Sequence, residues 1–159
     1  MTIRFEEDEA ARQAERRLFQ AYRRLGTDQP ICLVCPSTYP HALEVHHLVG
    51  LGLDGTTGIV CRNCHRQLTD LQQGWPEAKI GTLRANLVAA RLQFGLADLF
   101  AAVAPALELC VATASLPEEI RDSMMSLATL MRDNVEPLRH NGRVLLGWDV
   151  GADEQSETR

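Results

Sequence analysis

The sequence predicts an α+β protein, mostly α, with a small cysteine-rich α/β module between helices. Three observations carry this reading. Four of the five cysteines occur as two Cys-x-x-Cys pairs inside a stretch rich in Pro and Gly, residues 27–76. A segment ahead of it, residues 1–26, acidic near its start and basic in its second half, has the spacing of one helix, and residues 77–148 repeat apolar residues at intervals of three and four. An acidic tail, residues 149–159, completes the 159-residue chain, a length suited to one domain with an appendage.

Composition narrows the function classes. Hydrophobic residues make up 45% and charged residues 23%, as in ordinary globular proteins, and aromatics only 5%, so Leu, Ala, Val and Met must fill the core. The net charge of −5 argues against holding nucleic acid through a general positive field, although a local basic face remains open. Met1 to Glu9 is acidic rather than apolar, so no signal peptide is read there and a cytoplasmic protein is expected. The most apolar stretch, Leu96 to Ala114, contains Asp98, Pro105 and Glu108. Each acid would cost about 2.5–3.5 kcal/mol in a bilayer, so this segment reads as a buried helix and no membrane partner is expected.

The elements follow in order. Phe5 to Leu25 reads as a helix with an apolar edge of Phe5, Leu18, Tyr22 and Leu25, acids Glu6 to Glu9 near its start, and Gly26 ending it. Its second half holds Arg12, Arg16, Arg17, Arg23 and Arg24, which serve either a solvated face or phosphate contact. A strand over Leu43 to Leu48, a glycine-rich loop and a strand over Gly58 to Val60 precede a short helix, Asn63 to Gln73, stopped by Gly74. A cysteine knuckle, a hairpin and a second cysteine pair at a helix start make a treble-clef or ββα-metal arrangement. Beyond it, one helix is expected from Glu77 to Phe94 and a second from Leu96 to Ala114, bent at Pro105. A third should start at Ser115, with Glu118 completing a capping box, and end at Asn141 and Gly142. Its seam, Ile120, Met124, Leu127, Met131, Val135 and Leu138, together with the apolar helix before it, suggests self-association into a homo-oligomer.

Without a secretion signal, Cys32, Cys35, Cys61 and Cys64 read as a structural Zn²⁺ site. Each two-residue gap lets a tight turn aim both thiolates at one ion, and the second pair closes the tetrahedron. A redox dithiol is the competing reading, and Cys110 reads as an inert packed thiol. Between the pairs stands Glu44-Val45-His46-His47, and His65 follows Cys64 directly. Alternation along a strand sends His46 and His47 to opposite faces, which divides them naturally between ligating a catalytic metal and acting as a base. His65, on the first turn of the next helix, is placed as a second ligand.

Cys32-x-x-Cys35, Glu44-Val45-His46-His47-Leu48-Val49 and Cys61-Arg62-Asn63-Cys64-His65-Arg66 together resemble the HNH endonuclease family, in its subtype with a four-cysteine zinc. The resemblance covers about a quarter of the chain, from Ile31 to Leu71. It implies a ββα-metal core that hydrolyses phosphodiester bonds in DNA with one divalent ion, Mg²⁺ or another. By position, His46 resembles the first metal ligand, His47 the general base and His65 the closing ligand, while Arg62 and Arg66 flank the site as phosphate contacts. Thr56 stands where the family usually has Asn, and Gly50-Leu51-Gly52-Leu53 replaces its usual Pro and Gly-Gly. The alternative is therefore a catalytically weakened zinc module that binds nucleic acid or protein as a scaffold.

Overall fold

The computed structural model describes residues 2–53 and 55–148, with side chains from Glu9 onward. The side chains of Phe5 and of the acids Glu6 to Asp8, all of Asp54, and the acidic tail lie outside the described residues. Helix α1 spans Thr2–Leu25 and strand β1 Leu43–His47, entered through a 3-10 turn at Pro40–Ala42. Strand β2 spans Thr57–Cys61 and runs directly into α2, Arg62–Gln73; α3 (Arg84–Thr113) and α4 (Glu118–Leu145) follow. The fold is the α+β, mostly helical arrangement read from the sequence.

Strands β1 and β2 pair antiparallel, with Leu43 opposite Cys61, His46 opposite Gly58 and His47 opposite Thr57. The Leu33 N–H donates to the Ile59 carbonyl at 2.9 Å, which lays the cysteine knuckle along β2. Leu25, Val34, Leu43, Val60 and Leu68 form the module's core, and Leu99, Ala102 and Val103 of α3 complete it. Helix α1 ends in a left-handed Gly26 (φ +72°) whose N–H reaches the Tyr22 carbonyl at 2.9 Å. The Arg24 guanidinium ties α1 to the turn before β1, donating to the Leu43 carbonyl at 2.8 Å and the Pro40 carbonyl at 3.3 Å.

Four local readings of the helical region are corrected. Residues 77–83 are not helical, because the residues at the end of α4 take their polar groups. The Lys79 N–H and the Thr82 hydroxyl donate to the Leu146 carbonyl, and the Trp148 indole donates to the Glu77 carbonyl. Gly81, at φ +92°, turns this segment away from helix. Next, the expected break near Gly95 is absent, and α3 runs unbroken from Arg84 through Pro105 to Thr113. A Cβ on Gly95 would lie 1.9 Å from the Leu48 carbonyl oxygen, so glycine is there to let β1's exit cross the helix. The third correction concerns Ser115, which caps nothing. A residue before proline disfavours helix, so Leu116 stays out, and the Pro117 carbonyl accepts the first bonds from the Ile120 and Arg121 N–H groups. Finally, Gly142 does not end α4 but lies against the Phe94 ring, 2.8 Å from where its Cβ would be. The helix stops at Gly147 (φ +84°) in a Schellman motif, with Trp148 N–H on the Arg143 carbonyl and Gly147 N–H on that of Val144.

Helix α3 is the shared spine. By length and composition it is apolar enough to cross a membrane; here one side packs on the module and another on α4. Asp98, 3% exposed, accepts from the Trp75 indole at 2.7 Å and from Arg139 of α4 at 3.2 Å. A buried carboxylate needs such donors, and these come from both neighbours of α3. Glu108 pairs with Arg132 farther along the hairpin. The α4 seam is only partly covered: Met124, Met131, Val135 and Leu138 are half-buried, while Ile120 and Leu127 are exposed. Cys110, read as packed, is exposed, because it lies beyond the part of α3 that the module covers.

Gly95→Ala tests the crossing. Alanine is the better helix former by about 1 kcal/mol, yet the clash with backbone should leave the protein about 1–3 kcal/mol less stable in urea denaturation. A stabilised variant would show that Leu48 does not lie on α3.

Candidate metal centre and histidine cleft

Each cysteine is placed by a local backbone device. Cys32 and Cys35 sit in a knuckle closed by the Cys32 N–H on the Ser37 carbonyl at 2.9 Å. Cys61 ends β2 and Cys64 lies on the first turn of α2, so the strand-to-helix junction aims the second pair. The four Sγ atoms lie within 4.8 Å of one another, and those of Cys35 and Cys61 are 3.6 Å apart. Four sulfurs at about 2.3 Å from one ion stand about 3.8 Å apart, so the cluster fits a tetrahedral thiolate site such as that of Zn²⁺. Burial pushes the thiols of Cys35 and Cys64 up. Burial acts on Cys32 in the same sense, but the N–H groups of Cys35, Cys61 and Val34, at 3.2–3.4 Å from its Sγ, outweigh it and lower the pKa to about 7. Such donors offset the negative charge that four thiolates gather around a divalent ion.

The histidines lie beside the same junction, His46 and His47 on β1 and His65 on the first turn of α2. His46 is 3% exposed and meets the His65 ring edge to face, with centroids 5.0 Å apart. Two imidazoles sharing an ion at about 2.1 Å place their centroids about 4.5–5 Å apart, so the pair has the spacing of two ligands. Burial, then the charges of His65 and His47, lower the His46 pKa to about 4. His46 is therefore neutral near pH 7, the form in which imidazole ligates. Nδ1 of His65 meets Glu44 Oε2 at 3.3 Å, and Arg62 donates to Glu44 Oε1 at 3.1 Å. A carboxylate on one ring nitrogen leaves the other free to ligate.

Sequence reasoning missed the role of Glu44 and, entirely, that of Gln72, one residue from the end of α2. Its amide nitrogen donates to the His47 carbonyl at 2.7 Å and meets His46 Nε2 at 3.1 Å. The signal was its spacing, seven residues after His65, which puts both on one face of α2. His47 is half-buried, with its Nδ1 buried and lacking a partner among the described residues. Thr56, in the place of the usual Asn, steadies the loop through its backbone: its carbonyl accepts the Leu48 N–H at 3.0 Å.

The basic residues divide. Arg24 and Arg62 are engaged as described, whereas Arg16, Arg17, Arg23 and Arg66 are exposed and make no ion pair among the described residues. Arg17, Arg24 and Arg62 converge on one groove, while Arg16 lines a separate recess and Arg23 and Arg66 line neither. No family model, curated protein or solved structure matches this chain.

Purified protein should contain one Zn²⁺ per chain by elemental analysis. Cys61→Ser should lose that ion together with module stability, because structural zinc carries about 10–16 kcal/mol of apparent binding free energy in small domains. Absence of zinc from the wild type, or an unchanged melting temperature for the variant, would contradict the assignment.

Proposed function

We propose that this chain is a metal-dependent endonuclease that hydrolyses phosphodiester bonds in DNA at the histidine cleft. The observation that carries the reading is the pairing of buried His46 with His65 at 5.0 Å, with Glu44 on the outer nitrogen of His65. His46 and His65 would hold a divalent ion, which when bound supplies charge stabilisation for the scissile phosphate and the departing oxygen. His47 accepts a proton from a water whose oxygen attacks phosphorus in line. The bond from phosphorus to the 3′-oxygen breaks, and that oxygen leaves with a proton from solvent. Glu44 keeps the His65 ring turned toward the ion, and Gln72 fixes the end of β1 from which His46 and His47 project.

A second reading, a weakened zinc module that binds without cutting, draws on two observations. His47 Nδ1 has no partner among the described residues to set its tautomer. The Gln72 amide also meets His46 Nε2 at 3.1 Å, which engages one of the two ring nitrogens through which His46 can ligate.

Plasmid nicking with Mg²⁺, Mn²⁺ and Ni²⁺ separates the two. Under the nuclease reading, His47→Ala loses about 10²- to 10⁴-fold in rate while keeping zinc and fold. His46→Ala and His65→Ala also lose activity, and Thr56→Asn gains it. Equal inertness of wild type and His47→Ala with all three metals, alongside DNA or protein binding, would establish the binding module instead.

A further inference from the structure

Helix α1 is more than an appendage to the module. Arg17, Gln20, Ala21 and Arg24 recur at intervals of three and four along one face of it. That face meets His41 of the 3-10 turn and Arg62, the first residue of α2, around a groove of about 310 Å³. Three guanidiniums and an imidazole thus line one concavity of a chain whose net charge is −5. Arg24 spends its hydrogen bonds on two uncharged carbonyls, so its charge stays available to the groove. Among the described residues Arg17 has no acidic partner, and the only carboxylate paired to a lining residue is Glu44, on Arg62. A concave site with converging guanidiniums is suited to phosphate oxygens.

We propose that this groove between α1, the 3-10 turn and the start of α2 binds a backbone phosphate of nucleic acid. The choice of a nucleic-acid phosphate rests on the endonuclease reading; the choice of a phosphate ligand rests on the groove itself. Two features favour a polymer over a free anion. Arg62 links the groove to His65 through two successive pairs, Arg62 with Glu44 and Glu44 with His65, so a phosphate bound there is coupled to the candidate cleft. At Gln20 the groove also adjoins a second recess, bounded by Arg12, Glu15, Arg16 and Phe19, where two guanidiniums outnumber the one carboxylate and Phe19 is 66% exposed. A strand continuing along α1 meets further guanidiniums and an aromatic face on which an unpaired base stacks.

The test is fluorescence anisotropy of labelled single-stranded and duplex DNA with the full, zinc-loaded chain over a range of salt. Arg17→Gln and His41→Ala are the informative variants, because Arg24 also tethers β1 and Arg62 also holds Glu44. Arg17→Gln should weaken binding uniformly across sequences. It should also lower the slope of log K against log salt by about 0.9 for duplex or 0.7 for single strands. Arg121→Ala on α4, which lines no part of the groove, should bind as wild type does. The proposal is overturned if both groove variants bind with the wild-type slope, or if wild type binds inorganic phosphate but no DNA, or if it binds neither. Loss of nicking in His47→Ala with an unchanged salt slope would leave the groove standing. Efficient nicking by Arg17→Gln and His41→Ala, both with unchanged slopes, would remove the groove and keep the nuclease.

Discussion

The convergence of four cysteine sulfurs at one point is the constraint on which the site depends. The hairpin has two five-residue strands, and a pair that short does not hold itself together in water. The cluster ties the knuckle to the end of β2 and the first turn of α2. Cys64 and His65 are neighbours on that turn, so fixing the sulfur of one fixes the backbone that carries the imidazole of the other. The opposite strand then brings His46 to it, and Gln72, two turns along α2, bonds the same strand end. Geometry in the cleft is thus set by the cysteine cluster through one strand-to-helix junction.

The second constraint is the attachment of this module to the helical hairpin. Gly95 admits the Leu48 carbonyl to the surface of α3 just after the two histidines. Phe94, the residue before Gly95, covers Gly142 of α4, and Asp98 joins Trp75 at the module's exit to Arg139. Module, spine and α4 meet within one turn or so of α3, so a change at this crossing should be felt at the end of β1. The buried Asp98 explains why so apolar a helix carries a charge: it is the shared acceptor for two elements.

Much of the module was legible in the sequence because its determinants are local. The spacing of Cys32, Cys35, Cys61 and Cys64, the breakers at Gly26 and Gly74, and the alternation around His46 and His47 act over a few residues. The helical region was less legible because its punctuation is tertiary. Gly95 and Gly142 look like helix stops, yet each is a small residue at a close contact, and only the packing partner tells the two roles apart. Residues 77–83 have helical apolar spacing, but their polar groups are bonded to Leu146 and Trp148 at the end of α4. Gln72 gave no chemical signal of its own, since a glutamine on a polar helix face is ordinary until its neighbours are known.

Zinc X-ray absorption on the purified chain, at one zinc per chain, tests the central claim most directly. The account predicts four sulfur scatterers at about 2.3 Å and no nitrogen. A shell containing nitrogen or oxygen near 2.0–2.1 Å, with fewer than four sulfurs, would contradict it. A histidine would then belong to the cysteine centre, and the division between a structural cluster and a separate histidine cleft would fall.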